Sequence, residues 1–360
     1  MPTPRRRVEI ALRGGRADKA PFTMYENMAR QCEAEREMRN RGMCILMRKP
    51  VYRAHTPNVK VHSRTWEENG RRLTRTWYET PAGTLTTLGE AGGFTTWWHE
   101  KMFKSPEDYK ALRFLLADEQ YEPAYEGFAR MERDFGEDAM FRAAIGGEPL
   151  QTLISGLSMS MENFCIQWME NRDEVLALYE IAAKNRRKVY PIVADSPASH
   201  ANYGGNVVPE IIGPKVFEDL YVPHYNEAAE ALHKRGKLVG CHFDDNCRVL
   251  AEAIASTGLD YIEAFTPSPD TDMTLAEARA AWPGKALWIN FPSSVHLKSD
   301  EAVARAAFDM LDAMPSSEGV IYGITENIPE HRWRDSCRAI MDGLDRHAAE
   351  RPERYAPDAG

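Results

Sequence analysis

The sequence predicts an α/β chain folded as one (β/α)8 TIM barrel, and three observations favour this fold. Short apolar segments alternate with helical patterns along most of the chain, which is typical of a parallel sheet. These segments are apolar on both faces, as buried parallel strands are. The length of 360 residues suits one barrel with an extension. A doubly wound sheet is the alternative, but no GxGxxG follows a predicted strand, as a dinucleotide site requires.

Seven strands can be placed directly from their apolar character. They are predicted over 21–25, 139–145, 191–195, 237–242, 261–264, 286–290 and 319–324. The eighth strand is expected within 150–190. Helices are predicted over 8–14, 27–41 and 214–234, and the last of these carries a continuous apolar stripe that includes Val216, Leu220 and Tyr225.

Residues 45–100 have a different pattern from the rest of the chain. Alternating segments over 59–66 and 72–78 flank the turn Glu68-Asn69-Gly70, which indicates a β-hairpin. We therefore expect an antiparallel hairpin and meander excursion over about 45–100, near the N-terminus of the barrel. The predicted organisation is a single domain over 1–350, followed by a C-terminal tail over 351–360.

Composition excludes several classes of protein. The net charge of −9 argues against nucleic acid as a partner, because phosphate binding needs a basic face. No segment reaches the about 18 consecutive apolar residues of a membrane span, and no export signal is evident. The 6 cysteines form no CxxC pair and are expected to be reduced thiols. We expect a soluble, cytoplasmic protein with a small-molecule substrate and no membrane partner.

The densest run of polar residues follows the predicted strand at 237–242. His242 and Asp244 lie two residues apart, so both point to the same face of the strand, into the mouth of the barrel. This spacing suits either an acid–base pair or two metal ligands. Asp245 and Asn246 could instead cap the next helix.

Two further carboxylates are candidate catalytic groups. Glu263 interrupts an apolar strand, where a carboxylate is unfavourable unless it is paired or binds a ligand. Glu326 follows the last predicted strand. A structural ion pair is the alternative for Glu263, and a role at the start of the last helix is the alternative for Glu326.

Candidate substrate-binding residues are polar or aromatic side chains near strand ends or in the excursion. The loop predicted over 200–206 contains His200, Asn202 and Tyr203 beside two glycines, which allow close approach to a ligand. Asn290 ends a strand, and Trp97 and Trp98 are adjacent aromatic residues in the excursion. Simple packing is the alternative for the tryptophans, and Cys241, which faces away from His242, is expected in the core.

The chain resembles the uroporphyrinogen decarboxylase superfamily over nearly its whole length. The resemblance rests on the order and spacing of five segments, at 7–21, 104–109, 214–225, 242–246 and 323–329. It implies the same barrel fold and an enzyme. True decarboxylases of this family carry a Met-Arg-Gln-Ala-Gly-Arg segment and a Phe-Ser-Asp segment. Here Tyr25 replaces the leading arginine, Glu26 adds a negative charge and Phe-Ser-Asp is absent, which argues against a polycarboxylate substrate.

The corrinoid-dependent methyltransferase branch is the closer resemblance. It implies transfer of a methyl group between a small methoxylated or methylated compound and a separate corrinoid protein, as in O-demethylation, with Tyr25 among the substrate-binding residues. Some members hold zinc through His-x-Cys and a distant Cys. This sequence has His242 and Asp244 instead, and the distant position falls near Tyr322, so zinc at His242 and Asp244 is a departure from the pattern. A decarboxylase, a non-catalytic small-molecule-binding barrel and a homodimer are left open.

Overall fold

The computed structural model describes residues 2–93 and 95–355, so the last part of the predicted tail, 356–360, lies outside the described residues. The strands are β1 (Phe22–Tyr25), β2 (Cys44–Lys49), β3 (Tyr52–His55), β4 (Lys60–Glu68), β5 (Arg71–Thr80), β6 (Gly83–Gly92), β7 (Thr95–Glu100), β8 (Gln120–Pro123), β9 (Ala139–Gly146), β10 (His200–Gly204), β11 (Leu238–His242), β12 (Tyr261–Phe265), β13 (Ala286–Asn290) and β14 (Val320–Ile324).

The helices follow the same chain order. They are α1 (Pro4–Leu12), α2 (Glu33–Asn40), α3 (Tyr109–Ala117), α4 (Tyr125–Phe135), α5 (Pro149–Ile154), α6 (Met161–Glu170), α7 (Arg172–Asp195), α8 (Pro209–Leu220), α9 (Val222–His233), α10 (Ala251–Ala255), α11 (Leu275–Ala281), α12 (Asp300–Asp312) and α13 (Glu330–Glu350). In the described part of the chain, no helix is both long and apolar enough to cross a membrane.

Eight parallel strands close into the predicted barrel, in the order β1-β14-β13-β12-β11-β10-β9-β2. Six of the seven predicted strands are confirmed. The strand predicted over 191–195 is wrong, because those residues form the last turns of α7, and β10 follows it at the segment predicted to be a loop. The eighth strand is β2, whereas the region 150–190 is mostly helical.

The long helix predicted over 214–234 is divided in two. The α8 helix has a kink at Gly213, whose φ of 70° is not helical. It ends at Leu220, and α9 begins at Val222 with Pro223 in its first turn, where the missing N–H of proline is tolerated. The helix predicted over 27–41 is also shorter, since α2 begins at Glu33.

The chain divides into two compact units. The first comprises the described residues of 1–51, 124–146 and 193–360 and contains the whole barrel. The second comprises 52–123 and 147–192 and contains the antiparallel sheet β4-β5-β6-β7 and the pair β3-β8. The predicted hairpin is confirmed: Glu68 pairs with Arg71, and Asn69 and Gly70 both have positive φ, as a tight two-residue turn requires.

Aromatic side chains and helix α1 fill the amino end of the barrel. Trp288 and Tyr261 are completely buried in one cluster with Leu12 and Val8 of α1. The Trp288 Nε1–H donates to Thr23 Oγ1 at 2.8 Å, and the Tyr261 hydroxyl donates to the carbonyl of Ala201 at 2.7 Å. Both aromatic polar groups therefore have hydrogen-bond partners inside the barrel.

Candidate active site

Four polar side chains meet inside the carboxyl end of the barrel. His242 ends β11 and pairs in register with Glu263 of β12. The His242 Nδ1 lies 2.8 Å from Glu263 Oε2, and the Arg142 guanidinium of β9 lies 3.0 Å from Glu263 Oε1. The hydroxyl of Tyr25, at the end of β1, donates a short hydrogen bond to Glu263. The carboxylate of Glu263 is thus the centre of the cluster.

The backbone around Glu263 is shaped to present this carboxylate. The β12–β13 register shifts between Glu263 and Phe265, which leaves Ala264 as the extra residue of a bulge. Ala264 is buried and has a φ of 57°, a left-handed conformation that is uncommon for a residue with a Cβ. Bulges re-aim side chains and are frequent beside active sites. A second register shift follows Asn202 in β10, at the same end of the barrel.

The charged groups of this cluster shift the pKa values of one another. Burial alone would raise the pKa of Glu263, but Arg142 and His242 outweigh it and hold that pKa well below its usual range. Burial alone would lower the pKa of His242, but the charge of Glu263 and the hydrogen bonds to Asp244 and Glu263 raise it from 6.5 to about 10. Burial and the negative charge of Glu263 raise the pKa of Tyr25. At neutral pH the site therefore holds a carboxylate, an imidazolium, a guanidinium and a neutral phenol.

Two more carboxylates interact with the imidazolium. Asp244 Oδ2 lies 3.3 Å from His242 Nε2, so His242 lies between two carboxylates, as its spacing with Asp244 indicates. Glu326, just after β14, has its side chain open to solvent. Partial desolvation and the negative charge of Asp244 raise the pKa of Glu326, and its charge also interacts with those of His242 and Glu263. The four predicted catalytic residues thus belong to one electrostatic cluster.

Two of the predicted substrate-binding residues have amide side chains and lie on barrel strands, Asn202 on β10 and Asn290 at the end of β13. Asn202 Nδ2 lies 3.3 Å from Glu263 Oε2, while Asn202 Oδ1 is buried and has no hydrogen-bond partner among the described residues. That oxygen is available to a substrate donor. Asn290 is different, because its Nδ2 donates to Thr266 Oγ1 at 3.4 Å and its Oδ1 accepts from the Thr325 N–H at 3.0 Å. Asn290 therefore ties neighbouring loops together.

Comparisons with known proteins agree with this architecture. The family model described as uroporphyrinogen decarboxylase (URO-D) matches residues 88–345, which is more than half of the chain. The chain belongs to this family. Among the curated proteins that were compared, none matches.

Two solved structures are similar to this chain. A methyltransferase from Methanosarcina mazei has 11% identity and a TM-score of 0.57, and the match covers 96% of this chain and 98% of that chain. The catalytic modules of the pneumococcal exo-β-D-N-acetylglucosaminidase match with 10% identity and a TM-score of 0.39, over 94% of this chain and 86% of that chain. At these identities the first likeness supports the barrel fold alone.

Several predicted substrate-binding residues are not among the described contacts of the cluster. His200 begins β10 at the amino end of the barrel, because a strand starts where a loop was expected. Tyr203 has the opposite orientation from Asn202 and packs edge-to-face on Tyr225 of α9, with ring centroids 5.4 Å apart. Trp97 and Trp98 lie on β7 of the second unit and are exposed. Cys241 is buried, as predicted.

Two arginines of this URO-D family site were not predicted from the sequence. Arg142 is a buried charge within an apolar strand, which is the same signal that identified Glu263. Arg48 lies at the end of β2, and its guanidinium stacks 3.6 Å from the centre of the Tyr25 ring. The Arg48 Nε also donates to Glu26 at 3.1 Å, so the negative charge noted beside Tyr25 is neutralised locally.

The residues present do not fit a zinc site. Among the described residues, no group of three or more His, Cys, Asp or Glu side chains is placed to hold a metal ion. His242 Nδ1 is hydrogen-bonded to Glu263, and the positive charge of Arg142 opposes a second cation beside the same carboxylate. The family resemblance places the distant zinc-binding cysteine near Tyr322, and the buried hydroxyl of Tyr322 donates to the carbonyl of Ala307.

Proposed function

We propose that this URO-D family protein is a methyltransferase that moves a methyl group from a small methoxylated compound to a separate corrinoid protein. The observation that carries the proposal is the His242 imidazolium, held by the buried Glu263 at the mouth of the barrel. The corrinoid of the partner supplies the nucleophile that accepts the methyl group. The residues of this chain bind the substrate and provide the proton that the departing oxygen needs.

In this proposal the proton that the substrate oxygen receives comes from Nε2 of His242. Nδ1 is engaged by Glu263 at 2.8 Å, whereas the contact of Nε2 with Asp244 is longer, at 3.3 Å. A substrate oxygen can therefore compete for the Nε2 proton. When the methyl–oxygen bond breaks, the electron pair stays on oxygen, and Nε2–H donates a proton to it. Glu263, which accepts from the remaining Nδ1–H, then keeps the ring in position.

The raised pKa of His242 favours an aryl ether as the substrate. Phenols have a pKa of about 10, as the tyrosine side chain does. The pKa of His242 is also raised to about 10. Proton transfer from His242 to a phenoxide is thus nearly balanced in free energy. His242 is also protonated at neutral pH, whereas a histidine of ordinary pKa, about 6.5, would be mostly neutral there.

The experiment combines the full chain with 2-methoxyphenol and a reduced corrinoid protein and follows the absorbance of methylcobalamin. We expect methyl transfer by the wild-type protein and a loss of about 100-fold or more in His242→Gln, since general acid catalysis contributes about that much. His233→Gln is the matched control, because His233 is exposed on α9 and pairs only with Asp260 among the described contacts. Equal rates for His242→Gln and the wild type would contradict the assigned role.

A decarboxylase is the second candidate, and the two arginines at the mouth favour it. Arg48 and Arg142 are the type of residue that binds substrate carboxylates. Both already have carboxylate partners, however, in Glu26 and Glu263. Release of CO2 from uroporphyrinogen, with no methyl transfer from methoxyarenes, would favour this candidate over the methyltransferase.

A further inference from the structure

A second cavity lies at the amino end of the barrel, away from the candidate active site. Its volume is about 150 Å³, and its lining includes Ser199 and His200 at the start of β10. His200, beside the cavity, pairs with Leu238 of β11. Gly204, at the other end of β10, pairs with His242 of the candidate active site, so four residues of β10 separate the cavity from the level of His242. At about 3.3 Å per residue this is about 13 Å. The two sites are therefore distinct.

The strongest indication of a ligand is an unpartnered buried nitrogen. His200 is only 1% exposed, yet its Nε2 has no hydrogen-bond partner among the described residues. Its Nδ1 lies 3.3 Å from the Ser199 hydroxyl. A buried polar atom without a partner destabilises the protein, because it has lost its hydrogen bonds to water. A bound molecule that forms a hydrogen bond with this atom recovers that free energy.

The tautomer of His200 follows from its surroundings. Burial and the positive charges of Arg142, Arg5 and Arg13 lower the pKa of His200 to about 3, so the ring is neutral at physiological pH. When Nδ1 accepts a hydrogen bond from Ser199, the proton of the neutral ring is on Nε2. His200 then offers a donor to a ligand.

Positive charge is in excess around the opening of the cavity. Arg6 and Arg13 both line it and are exposed, and Glu9 is the acidic residue beside them. Glu9 accepts from Arg5 at 3.0 Å and from Arg6 at 3.2 Å. Arg13 forms no ion pair in the described structure, so its guanidinium can bind an anion.

The inner wall of the cavity is apolar. It is formed by Leu12 of α1, Met140 of β9 and Leu238 of β11. An apolar protein cavity of about 150 Å³ accommodates a molecule the size of benzene, with six heavy atoms. A donor and a cation on one side and an apolar wall on the other suit a small amphipathic anion.

We propose that this cavity binds a small carboxylate with a short apolar chain, about the size of butyrate. Its carboxylate accepts hydrogen bonds from His200 Nε2 and pairs with Arg13, and its chain packs against Leu12, Met140 and Leu238. This site is independent of the methyl-transfer proposal, because no residue of the cavity belongs to the candidate active site.

The test uses the full chain with butyrate as the probe, butyramide as a neutral isostere and inorganic phosphate as an anion without an apolar chain. Binding is measured by saturation-transfer NMR and calorimetry. We expect butyrate to bind with a Kd of about 1 mM, as a very small ligand can. We expect Arg13→Gln to weaken binding about tenfold. Arg16→Gln is the matched control, since Arg16 is exposed nearby, pairs with Glu318 and does not line the cavity.

The location of the probe is tested by ¹⁵N labelling of the histidines. Butyrate is expected to shift the Nε2 resonance of His200 and to leave His242 unchanged. The proposal is overturned by any of four results: no binding at about 10 mM butyrate, equal affinity for butyramide or for phosphate, no effect of Arg13→Gln, or a shift of His242 in place of His200.

Discussion

Replacing Glu263 with glutamine removes one negative charge from the centre of the candidate site and changes the shape of the side chain very little. Glu263 is completely buried and contacts Arg142, His242 and Tyr25. An amide cannot neutralise either cation. Arg142, itself buried, would keep its charge without this carboxylate, whereas the pKa of His242 would fall, because only Asp244 would still pair with the ring.

The expected loss of stability can be obtained in two ways. The pKa of His242 is about 10 instead of 6.5, which at about 1.4 kcal/mol per pKa unit corresponds to about 5 kcal/mol. Asp244 supplies part of this, so it is an upper value for Glu263. Removing one member of a buried ion pair typically destabilises a protein by about 3–5 kcal/mol. We therefore expect Glu263→Gln to lower the free energy of unfolding by about 4 kcal/mol.

Urea unfolding at several pH values measures this effect. In the wild type, the raised pKa of His242 contributes stability that is complete below pH 6.5 and is lost as pH rises through about 10. Glu263→Gln should lose that pH dependence together with its stability. Glu230→Gln, in an exposed pair with Lys234, is the control and should unfold like the wild type. A Glu263→Gln variant of wild-type stability, with an unchanged slope between pH 7 and 10, would refute the reasoning.

Three other outcomes are expected. Gly240→Ala should lower the free energy of unfolding by about 1–3 kcal/mol in urea titrations, because the added Cβ would lie 2.1 Å from the Tyr261 ring; an unchanged midpoint would contradict the tight packing. Ala264→Val should destabilise by about 2 kcal/mol, because a β-branched residue fits positive φ poorly, and Ala264→Gly should not; equal stability of the two variants would argue against the bulge. Methyl transfer should fall as pH rises through about 10, where His242 loses its proton, and a rate that rises there would exclude His242 as the acid.

The barrel could be predicted because its strands are short apolar runs that stand apart from helical patterns. Two errors arose where this signal is ambiguous. Residues 191–195 begin with Pro191 and are mainly apolar, yet they complete a helix, and a run of five residues cannot distinguish a strand from a helix. The strand β2 was missed because it ends in the charged residues Arg48 and Lys49, which leave only a short apolar run before them.

The candidate site could be predicted in part for a related reason. His242, Asp244 and Glu263 are polar residues at the ends of apolar strands, and the structure brings them together. Sequence alone left open whether Glu263 has a functional role or forms an ion pair, and the structure gives it the partner Arg142. That pairing joins residues far apart in the chain, so only the closed barrel reveals it. The error at His200 follows from the strand error, since the loop predicted around it is β10.

The central claim is that His242 is an imidazolium at neutral pH, held by Glu263 inside the mouth of the barrel. Its most direct test is a ¹⁵N NMR titration of the histidines, with His242 assigned by comparison with His242→Gln. We predict that both ring nitrogens of His242 carry protons at pH 8 and that the ring titrates near 10. A neutral ring at pH 8, with a titration near the ordinary value of 6.5, would contradict the account.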